Sequence, residues 1–110
     1  MKANSFKVTM MIPLQDNDGN QFDMSVWDWW DTRLFDLIDG LTNVGNVSFM
    51  NVVTGQYKKG QPEKNKWIYV IVKNETEVEK FRQLLLEARL RFKQDAMYFE
   101  CERIYYEDLK

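Results

Sequence analysis

The stretch VWDWWDTRLFD, residues 26–36, packs three tryptophans and three aspartates into little more than three helical turns. Large aromatics beside carboxylates are the material of a protein-binding anchor with an acidic rim. Seven aspartates precede residue 40, whereas Lys2, Lys7 and Arg33 are the cations of residues 1–56. A second stretch, DNDGN at residues 16–20, raises a calcium loop. Such a loop needs alternating acids, a glycine at the sixth position and a bidentate Glu at the twelfth. Gly19 arrives early and the twelfth position from Asp16 is Trp27, so an Asx-rich turn is expected and no metal site is assigned. Cys101 alternates with Met97 and Phe99, which points to a buried, inert thiol rather than a nucleophile.

The chain contains no histidine. That removes histidine acid–base catalysis, Ser-His and Cys-His nucleophiles, and nearly all zinc sites. Any enzyme built here must use carboxylates, Tyr, Lys or the one Cys, so no catalytic residue and no cofactor are assigned.

These side chains need elements to hold them. A chain of 110 residues, 45% hydrophobic and 15% aromatic, is read as one domain over residues 1–110 with a core that needs no disulfide. The start MKANSFKVTM lacks a signal peptide's apolar core, and no run is long enough to span a bilayer. With a single cysteine, these features suggest a soluble, cytoplasmic protein without a membrane role.

Residues 6–13, FKVTMMIP, alternate as a strand ended by Pro13. The helix follows with Ser25 as the expected cap, and Trp27, Trp30, Leu34, Leu37 and Ile38 form its apolar stripe. Trp29 lies roughly 100° round from Trp30. It is either an exposed anchor or is buried against a hairpin formed by strands at 44–57 and 66–73. Asn74 begins a second helix, with Glu77 as its capping-box partner and Val78, Phe81, Leu85, Ala88 and Phe92 inward. Residues 96–106 make the last strand. The order β-α-β-β-α-β predicts an α+β, ferredoxin-like sandwich: a four-stranded antiparallel sheet with both helices on one face.

Parity then sorts the sheet. If Ile68, Val70 and Val72 face the helices, then Trp67, Tyr69 and Ile71 face outward, joined by Lys7, Thr9, Met11, Tyr98, Glu100 and Glu102. Such a face is too apolar to stay wet, so a homodimer through it is expected. Nucleic acid is an unlikely partner. Residues 57–110 carry twelve cations against ten acids, and the third strand, KWIYVIVK, lacks the glycine and aromatic spacing of RNA-recognition strands.

The sequence also resembles a scattered family of small bacterial and phage-borne domains of unknown function. Its pattern is an early D-G loop, a helix with a Trp, F-G-G-x-T, G-x-W, a Glu before the third strand, and F-x-Q after the second helix. Here the matching pieces are Asp18-Gly19, Trp27 or Trp30, IDGLT (residues 38–42), GQY (residues 55–57), Glu63 and RFKQDAM (residues 91–97). Asp39 replaces a glycine of the pattern and Tyr57 its tryptophan. The resemblance implies the ferredoxin-like fold and singles out Tyr57, Glu63 and Gln94. With Trp67 and Tyr69 as apolar walls, these residues would line a small-molecule cleft. Glu63 would be its general base if desolvated; otherwise it caps a turn beside Pro62.

Two functions emerge. The first is a non-catalytic binding or regulatory module, such as a phage or mobile-element protein that inhibits a host factor. It would meet a basic protein through Asp28, Trp29, Asp31, Arg33 and Asp36. The alternative is a small dimeric α+β-barrel-type enzyme or ligand-binding protein with its cleft near Tyr57, Glu63 and Gln94.

Overall fold

The computed structural model describes residues 1–40, 47–56, 62–107 and 109, with the backbone alone at 47–56 and 62–64. Its elements run β1 (Ser5–Pro13), α1 (Met24–Asp39), β2 (Val47–Gln56), β3 (Pro62–Val72), α2 (Glu75–Arg91) and β4 (Tyr98–Ile104). β1 pairs antiparallel with β3 on one side, Val8 opposite Val70, and with β4 on the other, Val8 opposite Cys101. The backbone of β2 pairs outside β3 with an irregularity between Met50 and Val53, so the strand order is β2-β3-β1-β4.

Alternation makes the two faces. Val8, Met10 and Ile12 of β1 and Ile68, Val70 and Val72 of β3 are fully or almost fully buried. They share one core with Trp30 and Leu34 of α1 and with Phe81, Leu84, Leu85 and Ala88 of α2. Both helices therefore cover the same face of the sheet, and the alternate residues of β1 and β3 form the other.

Each helix is opened by a side-chain cap. At α1 the cap is Asp23, not Ser25 as the sequence suggested: the Asp23 carboxylate accepts from the Ser25 N–H at 3.2 Å. The aspartate supplies both the acceptor and a negative charge beside the positive end of the helix. At α2 Asn74 caps as expected, while Glu77 accepts from the Asn74 side chain and, at 3.4 Å, from the Lys73 N–H in place of the Asn74 N–H of a full capping box. Asn74 Oδ1 accepts from the Glu77 N–H at 2.9 Å, and Asn74 Nδ2 donates to Glu77 Oε1 at 3.3 Å. The far end of α2 closes through Lys93, whose φ of 52° is left-handed. Lys93 N–H donates to Leu90 O at 3.2 Å and Gln94 N–H to Arg89 O at 2.9 Å, the paired bonds of a Schellman turn.

Candidate functional site

The outward sheet face holds the first group of candidate residues. Trp67 and Tyr69 lie two apart on β3 with ring centroids 6.2 Å apart. Lys7, from β1, sets its ammonium 4.7 Å from the Tyr69 ring centre and 6.0 Å from that of Trp67. Thr9 and Ile71 on this face are already buried, while Lys7, Met11, Trp67 and Tyr69 are half-buried. The Trp67 indole N–H is shielded from water and has no hydrogen-bond acceptor among the described residues. Across β1 the face turns acidic: Glu100 stands opposite Thr9 and Glu102 opposite Lys7. The Tyr98 hydroxyl donates to Glu100, and this bond pushes the phenol's pKa up. The sequence reading had the aromatics and the acids. It missed Lys7 as their cation, although the parity of β1 and β3 contained that signal.

Gln94, the polar residue beyond α2, is 4% exposed. Its side-chain Nε2 donates to Phe92 O at 3.0 Å, and its backbone carbonyl accepts from the Arg89 guanidinium at 3.3 Å. This side chain is spent on closing the helix end. Pro13 lies opposite Asn65 and Met11 opposite Tyr98, so the start of β3 and the turn into β4 share one end of the sheet. Phe22, Trp27 and Phe92 gather there edge to face, 4.8–6.2 Å between centroids, with Lys66 4.9 Å from the Trp27 ring. Tyr57 and the side chain of Glu63 lie outside the described residues.

Of the α1 candidates, Trp29, Arg33 and Asp36 lie toward α2. Trp29 is half-buried, with the Arg91 guanidinium 4.9 Å and that of Arg33 5.6 Å from its ring centre. Arg33 also bonds Glu87 at 2.6 Å. Trp29 is thus pinned to the last turn of α2, a partner that the sequence did not suggest. Asp28 and Asp36 are exposed and Asp31 is half-buried. An open groove of about 860 Å³ runs between the helices, lined by Arg33, Asp36, Leu37, Glu75, Glu79, Lys80 and Glu87 among others.

Asp16 Oδ1 accepts from the N–H groups of Asp18 and Asn20 at 2.9 and 2.8 Å, an Asx turn with Gly19 at φ 84°. Among the described residues, no cluster of three or more His, Cys, Asp or Glu is arranged to hold a metal ion. Cys101 is exposed, not buried; its strand, β4, lies at the sheet edge. Local desolvation and the charges of Glu102 and Glu75 nevertheless push its thiol pKa up. No helix among the described residues is long and apolar enough to cross a membrane.

In sequence, the chain matches no family model and no curated protein. Its likenesses are structural. A phage SAM lyase in complex with S-methyl-5'-thioadenosine superposes with a TM-score of 0.64 at 20% identity, covering 94% of this chain and 84% of that one. A phage SAM lyase in its apo state gives 0.55 at 20% identity over 96% and 92%. A DUF3240 family protein from Shewanella baltica gives 0.54 at 14% identity over 100% and 99%. These matches show a shared α+β fold, and they include a phage protein and a member of a domain-of-unknown-function family.

Proposed function

We propose that this protein binds S-adenosylmethionine and cleaves it, releasing S-methyl-5'-thioadenosine. The observation that carries the reading is the whole-chain likeness to the phage SAM lyase that holds this nucleoside. The chemistry available in the chain fits. The substrate's own carboxylate can displace the thioether from the γ-carbon, closing a lactone C–O bond as the C–S bond breaks. A sulfonium already carries its positive charge, so its thioether departs neutral and needs no general acid. A protein without histidine can therefore run such a cleavage. Carboxylates and aromatic faces are the groups that attract a sulfonium cation, and aromatic faces also stack adenine.

In this reading Tyr57, Glu63 and Gln94 line the cleft at the hairpin end of a four-stranded ferredoxin-like sheet. Glu63 holds the cationic portion of the substrate, and the Trp27 cluster stands beside it. Two-fold association through the outward sheet face belongs to the same reading, supported by half-buried Met11, Trp67 and Tyr69 on that face. The cytoplasm follows as its compartment, because the substrate is intracellular. The test is to incubate the purified protein with S-adenosylmethionine and separate the products by chromatography. S-methyl-5'-thioadenosine should accumulate with turnover, and Glu63→Gln should reduce its rate about 100-fold while circular dichroism stays unchanged. An intact substrate after prolonged incubation at high protein concentration overturns the reading.

The exposure of Asp28 and Asp36 favours a second reading, a non-catalytic phage regulator that inhibits a basic host factor through α1. Here Asp28, Asp36 and half-buried Asp31 steer the encounter, and Trp29 with Arg33 supplies the contact. Replacing the three aspartates by asparagine should slow association and remove its salt dependence, with folding intact. An unchanged on-rate for the captured partner removes this reading.

A further inference from the structure

We propose that the free edge of β4 is a docking strand for an extended cationic segment of another protein, which adds to the sheet there. The strand order leaves β4 paired with β1 on one side only. Five of its seven residues are exposed, and its outer edge pairs with no strand among the described residues. Unpaired N–H and C=O groups along such an edge are a template for one more strand.

What flanks the edge selects the occupant. On the helix side runs a groove of about 300 Å³, walled by Leu85, Leu86, Met97 and Phe99. The arginines on its rim are already engaged, Arg89 by the carbonyls of Gln94 and Asp95 and Arg82 by Glu79. On the other side stand Glu100, which accepts from the Tyr98 hydroxyl, and Glu102; neither forms an ion pair among the described residues, and Arg103 of the same strand lies over the Phe6 ring at 6.0 Å. Lys7, the cation nearest in register to Glu102, points its ammonium at Tyr69 instead. Side chains of an added strand alternate between these two environments. One set must be apolar to fill the groove, and the other must be cationic to meet the glutamates. The same acids exclude a second copy of this strand. Antiparallel self-pairing centred anywhere from Glu100 to Glu102 sets a glutamate directly opposite a glutamate, which is unfavourable.

The experiment measures fluorescence anisotropy of a short labelled peptide alternating lysine and valine, titrated with the intact protein. Three comparisons accompany it: the scrambled peptide, the same peptide with alternate backbone amides N-methylated, and the double variant Glu100→Lys, Glu102→Lys. Binding should be saturable and weaken with salt. It should fall about tenfold or more for N-methylation, for scrambling and for the charge-reversed edge. Equal binding of the N-methylated or scrambled peptide reduces the effect to charge attraction and overturns the proposal. So does an absence of binding at millimolar concentration. Efficient oxidative cross-linking between copies at Cys101 overturns it too, because the edge is then already closed by self-pairing. The outcome is independent of whether the protein cleaves S-adenosylmethionine.

Discussion

Trp29 and Trp30 are neighbours in sequence with opposite physical roles. Trp30 is fully buried among the β1, β3 and α2 core residues, so truncating it leaves a cavity. Trp30→Ala should cost about 3–5 kcal/mol in urea denaturation. Trp29 rests half-buried between two guanidiniums, each contact contributing about 0.5–1 kcal/mol, so Trp29→Ala should cost clearly less. Equal large losses would make Trp29 a core residue and end its candidacy as an anchor. Cys101 supplies a second test at this scale. Its thiol is accessible, yet desolvation and then Glu102 and Glu75 hold the proton on. A raised thiol pKa means less thiolate at mildly alkaline pH, so alkylation by iodoacetamide at pH 8 should run slower than in the unfolded chain. Glu102→Gln should speed it by removing one of the repelling charges. A folded-state rate equal to the unfolded one would show that these neighbours do not act on the sulfur.

At the scale of the element, α2 is held at both ends by local bonds that can be altered singly. Asn74→Ala removes the cap of the Glu77 N–H and should cost about 1 kcal/mol by thermal or chemical denaturation. Lys93 occupies a left-handed position that disfavours a side chain, so Lys93→Gly should raise stability, by about 1 kcal/mol. A destabilised glycine variant would mean that the Lys93 side chain contributes more than its backbone strain costs. The Asn74 cap was legible in the sequence because it is a local pattern, and so were the stripe of α2 and the alternation of β1 and β3. The start of α1 was less so, since Asp23 and Ser25 are both good caps and only the path of the preceding loop chooses between them. The misreading of Cys101 has a related cause: parity gives the face but not how far a helix shields each residue of an edge strand. The candidate cleft was the least legible. Gln94 serves the helix end with its own amide, and the pinning of Trp29 by Arg91 joins residues far apart in the chain.

For the whole molecule, the outward sheet face remains the largest unresolved demand. Its centre is aromatic and partly shielded, its β4 side is acidic, and Lys7 lies between the two. A solvent-exposed cation over two rings is a modest contribution; the same ammonium covered by a second subunit becomes considerably stronger, because water no longer competes for it. Association through this face would therefore add to the burial of Met11, Trp67 and Tyr69 without leaving Lys7 unpartnered. Tyr69→Glu separates the free and associated states. In a lone subunit the new carboxylate can pair with Lys7 at the surface, so the fold should survive and circular dichroism should match the parent protein. In an assembly the pair is drawn out of water, and desolvating two charges costs more than their attraction returns unless every remaining lone pair is satisfied. Sedimentation velocity at micromolar concentration should thus show the parent protein as a dimer and the variant as a monomer, with weak salt dependence for the parent because apolar burial dominates. A parent protein that sediments as a monomer at high concentration would leave this face to a ligand, and activity measurements on Trp67→Ala would then decide whether that ligand is the sulfonium substrate.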